Sequence, residues 1–167
     1  MKIFYWSPFI SKVATTSSVI RSAESIVKYS KKENNVNLAI INAVGEWGDY
    51  KKLIDPKIEI INLNKKKILK YLPKGGFFKS RLSYVLIFFF SFFKLSNLIK
   101  KEKPDYLIIH LLTSLPIFLT SITKSKTKTI LRVSGLPKLN FTRYIFWKLF
   151  SKKFIKLHVQ LYQLMNI

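Results

Sequence analysis

The chain has 167 residues, 49% hydrophobic and 15% aromatic, which is enough for one packed domain and too apolar for a disordered chain. Its 30 Lys and Arg stand against 8 Asp and Glu, a formal net charge of +22, which excludes an acidic surface and points to anionic partners: nucleic acid, phosphorylated small molecules or an anionic membrane. The absence of cysteine excludes disulfides and thiolate metal sites, and the sequence suggests no metal site of any kind.

The opening MKIFYW carries one lysine and a short apolar run before Ser7 and Pro8, too short for the apolar region of a secretory signal, so a cytoplasmic location is expected. Residues 3–6 read as a first buried strand. Next comes SPFISKVATTSS, a loop dense in hydroxyls with Lys12 among them; Thr15 or Thr16 is its candidate cap for a helix over 16–32. Val19, Ala23, Ile26 and Val27 recur there at helical spacing and form one apolar face. Short runs rich in Ile, Val, Leu or Tyr predict further strands over 36–44, 58–63, 105–112 and 129–133. Helices are expected over 65–72, 77–101, 115–124 and 140–152, and the closing FIKLHVQLYQLMNI reads as a last strand followed by a tail. This alternation predicts an α/β fold: a Rossmann-like, doubly wound, mainly parallel sheet with helices on both faces.

In such sheets ligands bind beyond the carboxyl ends of the strands, where helix N-termini present free N–H groups. The first strand-to-helix turn is often glycine-rich, yet no glycine occurs from Ser7 to Ser25. Ser7, Lys12 and Thr15 could instead hold a sugar or a phosphate, or the loop could simply cap its helix. The run DYLIIHLLTSLPI ends a strand at His110, and TILRVSGLPKLN ends the next with Arg132, Ser134 and Gly135. An arginine in an apolar strand is costly to bury unless paired, so Arg132 faces either an anionic ligand or the carboxylate of Glu46, Asp49 or Asp105. His110 reads either as a structural hydrogen-bonding residue or as a cleft residue. With an ordinary pKa of about 6.5, it could orient or deprotonate a hydroxyl.

The segment GGFFKSRLSYVLIFFFSFFKLSNLIKKEKP is apolar from Leu82 to Ile99 with Lys94 as its only charge. A spanning helix would break the strand alternation, and the serines weaken it further. The reading favoured here is a long helix on the sheet that turns Phe88, Phe89, Phe92, Phe93 and Lys94 toward an anionic membrane surface, with a fully buried core helix as the alternative.

The stretches SPFISKVATTSSVIRSAESI, HLLTSLP and above all LRVSGLPKLNFTRYIFWKLFSKK resemble the amino-terminal half of bacterial glycosyltransferases of family 4, of the kind that build cell-surface polysaccharide or lipopolysaccharide. The resemblance spans essentially the whole chain. It implies a glycosyltransferase-B architecture, in which two Rossmann-like domains face each other, the first receiving the acceptor and the second binding the nucleotide sugar. By position it makes Ser7, Lys12, Thr15, Arg132, Ser134 and Gly135 acceptor-binding residues and His110 the catalytic candidate. It divides the chain into an acceptor-side domain over 1–153 and a last strand with a truncated tail over 154–167, without a donor-binding domain.

What the resemblance implies is therefore an acceptor-binding domain for transfer of a sugar from a nucleotide sugar to a glycan or lipid-linked acceptor, inactive alone as a truncated or split product. No cofactor is expected in this chain. The nucleotide sugar enters only with the missing second domain, which a separately encoded partner could supply. The expected place is peripheral, at the inner face of the membrane. The competing class is a basic module without enzymatic activity that binds a membrane surface or nucleic acid. Nucleic acid is disfavoured because the aromatics lie in core-like runs.

Overall fold

The computed structural model describes residues 1–11, 14–30, 35–110, 126–133 and 156–159, with positions 115–116, 118–119, 141 and 145. Their order is β1 (Lys2–Trp6), α1 (Ala14–Tyr29), β2 (Asn37–Asn42), β3 (Ile58–Asn62), α2 (Phe77–Glu102), β4 (Tyr106–His110), β5 (Lys128–Val133) and β6 (Lys156–Val159). The strands form one six-stranded sheet in the order β3-β2-β1-β4-β5-β6. Every neighbouring pair is parallel.

Alternate side chains of these strands face opposite ways, and both faces are covered, which is why the strands are apolar throughout. Ile3, Tyr5, Leu38, Ile40 and Ile108 pack with Val19 and Ala23 of α1. Phe4, Trp6, Ala39, Ile41, Leu107, Ile109 and Leu131 pack with Ile87, Leu95 and Ile99 of α2 and with Leu115 and Leu119. The expected doubly wound sheet is therefore present, and β6 joins it as a further parallel strand beside β5.

Three expected elements differ. The first helix begins at Ala14, so Thr15 and Thr16 lie inside its first turn and do not cap it. The strand over 36–44 stops at Asn42, where the chain turns around the Asn42 side chain: its Oδ1 accepts from the backbone N–H of Gly45 and of Trp47, each at 3.1 Å. Gly45 lies in that turn at φ +99°, and a Cβ there would stand 3.0 Å from the Lys67 Cα, so both conformation and space require glycine. The helix expected over 65–72 is reduced to a 3₁₀ turn over Ile68–Tyr71. The chain there is tied sideways to the β2 turn. Leu63 N–H donates to the Asn42 carbonyl and Leu69 N–H to the Val44 carbonyl, each at 2.9 Å, while the Asn64 amide donates to the Ala43 carbonyl at 2.7 Å. Within the segment the Leu69 N–H is thereby taken outward and cannot also close an α-helical turn. Of the helices expected over 115–124 and 140–152, the described positions are helical and the remainder lies outside the described residues, as does the tail beyond 159.

Helix α2 extends over 26 residues and ends with Lys103 in the left-handed conformation, its N–H donating to the Ile99 carbonyl at 3.0 Å. Its buried stripe is Ser83, Ile87, Ser91, Leu95 and Ile99, at four-residue spacing. Serines take two of these five positions, and the Ser83 hydroxyl is satisfied by the Pro73 carbonyl. The large apolar residues Phe78, Leu82, Val85, Phe89 and Phe93 point outward instead. Replacing Leu95 by Ala should therefore cost about 2–5 kcal/mol in urea denaturation, whereas Phe93→Ala should change stability by no more than about 0.5 kcal/mol.

Candidate functional site

The winding reverses between β1 and β4: β1 leads through α1 to β2 on one side, and β4 starts the other half of the sheet. The carboxyl ends of β1, β4 and β5 therefore lie side by side. Three polar side chains meet there on the α1 face. Tyr5 of β1, His110 of β4 and Arg132 of β5 share the parity of Ile108 and Ile130, and His110 and Arg132 are direct partners in the parallel register. The Tyr5 and His110 rings stand 5.8 Å apart, tilted by 32°. The Tyr5 hydroxyl shares a 2.9 Å hydrogen bond with Ser22 of α1, which links the cluster to the helix above it.

Electrostatics follow from burial beside a guanidinium. His110 is 4% exposed, and desolvation together with the Arg132 charge pushes its pKa down to about 4. It is neutral at physiological pH. The proton-abstracting role open to a histidine at its ordinary pKa is accordingly weak here, and the imidazole is suited to hydrogen bonding and orientation. Its Nε2 is buried and has no partner among the described residues. Burial also raises the Tyr5 pKa, against the Ser22 hydrogen bond and the Arg132 charge. Arg132 itself is half-buried and forms no ion pair among the described residues.

The carboxylates that could have neutralised Arg132 are engaged elsewhere. Asp105 accepts from the Lys2 backbone N–H at 2.7 Å, and Asp49 lies 3.6 Å from the Lys67 ammonium. Glu46 is 2% exposed and sits inside its own turn, accepting from the N–H of Ala43 at 3.0 Å and of Val44 at 2.7 Å. Such a ring of N–H groups at a strand end is an anion-binding nest, here filled by the protein's own carboxyl. Burial nonetheless raises the Glu46 pKa from 4.5 to about 7, against the backbone hydrogen bonds.

The other residues expected at the site divide. Ser7 is buried at 3% exposure, and the loop after it drives Phe9 edge-on into Trp47 and Tyr50 at ring distances of 5.1 and 5.6 Å. Thr15 is half-buried in the first turn of α1. Lys12, Ser134 and Gly135 lie outside the described residues. Among the described residues no group of His, Cys, Asp or Glu could hold a metal ion. The sequence did not reveal Tyr5, which is hidden in an apolar run, or the inward seat of Glu46, which depends on turn geometry and removes it as a partner for Arg132.

Strand order, parallel pairing and two-sided helix packing define a Rossmann-like α/β domain with polar groups gathered at its switch point. No protein-family model and no curated relative matches the sequence. Among solved structures, the UDP-GlcNAc 2-epimerase from Methanocaldococcus jannaschii is similar at 16% identity and a TM-score of 0.46, over 96% of this chain and 38% of that one. The chain thus spans 38% of the length of that structure.

The two buried titrating groups oppose each other. Glu46 holds its proton more tightly when folded, so its contribution is complete below about pH 4.5 and is lost as pH rises to about 7. His110 holds its proton less tightly, so its contribution is complete above about pH 6.5 and is lost as pH falls toward 4. Each contribution is on the order of 3 kcal/mol, and the two slopes have opposite signs. Urea unfolding of Glu46→Gln between about pH 4.5 and about pH 7 should show stability rising with pH, and His110→Gln should show it falling.

Proposed function

We propose that this chain is the acceptor-binding domain of a glycosyltransferase similar to those of family 4, receiving a phosphate-bearing glycan or lipid-linked acceptor at the ends of β4 and β5. The observation that carries the reading is the pairing of His110 and Arg132 in register beside the β1/β4 switch point. Arg132 has no carboxylate partner among the described residues and offers a guanidinium fork suited to a phosphate. His110 presents a buried Nε2 that lacks a partner among the described residues, a deficit worth about 1–3 kcal/mol that an acceptor hydroxyl would relieve.

In this reading Arg132 holds the acceptor's anionic group, and neutral His110 orients the attacking hydroxyl without removing its proton. Tyr5, tied to Ser22, fixes the imidazole from one side. The first turn lacks glycine, and the nest after β2 is occupied by Glu46, so neither offers a ready seat for a donor diphosphate. The nucleotide sugar belongs to a second domain, and sugar transfer is an activity of the assembled pair.

Titration calorimetry with a sugar 1-phosphate and a short-chain polyprenyl phosphate tests this reading. Arg132→Ala should weaken binding of these probes by about tenfold or more, as expected for loss of a charge-assisted hydrogen bond, and Arg132→Lys should recover part of it. Lys28→Ala, at the far end of α1, should have little effect. Equal losses in Arg132→Ala and Lys28→Ala would mean that net charge alone attracts the probe, and the site would be misassigned.

A further inference from the structure

We infer that the outward face of α2 docks in the plane of an anionic lipid bilayer. The helix is amphipathic in the inverse sense: serines lie on the stripe against the sheet, and Phe78, Phe89 and Phe93 stand 84%, 67% and 75% exposed. Leu82 and Val85 continue the outer stripe between them. A contiguous row of large apolar side chains held in water marks a surface that is covered in use.

Charge selects the cover. No Asp or Glu occurs between Glu59 and Glu102, while Lys74, Lys79, Arg81, Lys94, Lys100 and Lys101 flank or lie on the helix. None of these cations is paired with a carboxylate among the described residues. Arg81 lies over the Phe77 ring, 4.0 Å from its centroid, and Lys94 donates to Asn64, so both cations are held beside the apolar row. Phenylalanines inserted at the acyl boundary beneath lysines facing phosphates form the pattern of an interfacial helix. A second copy on the same face would set cation against cation in a chain of net charge +22. Spanning is disfavoured, because it would strip Ile87, Leu95 and Ile99 from the sheet and break the β3-to-β4 crossover.

The direction of α2 gives the contact a consequence. It returns from the carboxyl end of β3 to the amino end of β4, so its first turn, with Phe77 and Phe78, lies at the edge of the sheet that carries His110 and Arg132. A bilayer on this face would bring that edge near the headgroups. The docking itself rests on α2 alone, and its test contains no sugar or acceptor.

The purified chain should co-sediment with vesicles of phosphatidylcholine plus phosphatidylglycerol at low salt, bind vesicles of phosphatidylcholine alone far more weakly, and release as salt rises. The double variant Phe89→Ser, Phe93→Ser should lower the partition coefficient by about tenfold or more while circular dichroism stays unchanged, since both rings are exposed. Because the chain has no cysteine, Phe93→Cys and Tyr29→Cys each carry one environment-sensitive dye, and only the dye at 93 should shift to the blue on vesicles. The inference is overturned by absence of binding at low salt, or by binding that ignores the phenylalanine changes. Resistance to alkaline extraction would overturn it in favour of a spanning helix, and concentration-dependent dimers abolished by the double variant would overturn it in favour of a second copy.

Discussion

The position of β1 between β2 and β4 is the constraint on which the rest of the molecule depends. Five residues of β1 pair with β2, and four of the same residues pair with β4. This brings segments a hundred residues apart into one plane. Its amino end is pinned by the terminal ammonium on the Asn35 carbonyl, by the Lys2 N–H on Asp105 and by the ion pair of Lys2 with Glu102. With the amino end fixed and the register set, the carboxyl ends fall into line. His110 then meets Arg132 across one rung of the parallel ladder, with the Tyr5 ring alongside.

The same edge shows how a strongly basic chain handles its few carboxyls. Glu46 is withdrawn from the surface into a nest of backbone N–H groups, where desolvation opposes the hydrogen bonds and leaves it titrating at about 7. Asn42 serves the same turn from its other side and reaches Asn62 on β3 at 2.6 Å, so the turn, β2 and β3 form one hydrogen-bonded unit. That unit leaves Arg132 uncompensated by Glu46.

Helix α2 separates packing from apolarity. Its buried stripe is made of serines and a few aliphatic residues, while much of its aromatic surface faces away. Phe88 and Phe92 are the exceptions among the phenylalanines expected at a membrane: they are half-buried and lean on Phe118, so the outward row is carried by Phe89 and Phe93.

The alternation of short apolar runs with helical stretches, and hence the doubly wound sheet, was determined by the sequence alone, because burial on both faces forces each parallel strand to be apolar throughout. His110 and Arg132 were also legible, as polar residues at the ends of such runs. Tertiary structure alone decided which neighbours they acquired. Strand order makes them adjacent, and burial beside Arg132 then lowers the His110 pKa to about 4. It alone shortened the helix expected at 65–72, where the Leu69 N–H is given to the Val44 carbonyl of the β2 turn. It alone turned Glu46 inward and Phe89 outward. Apolar character sets how strongly a residue is driven from water, but which face it occupies depends on the surface already closed by the rest of the chain.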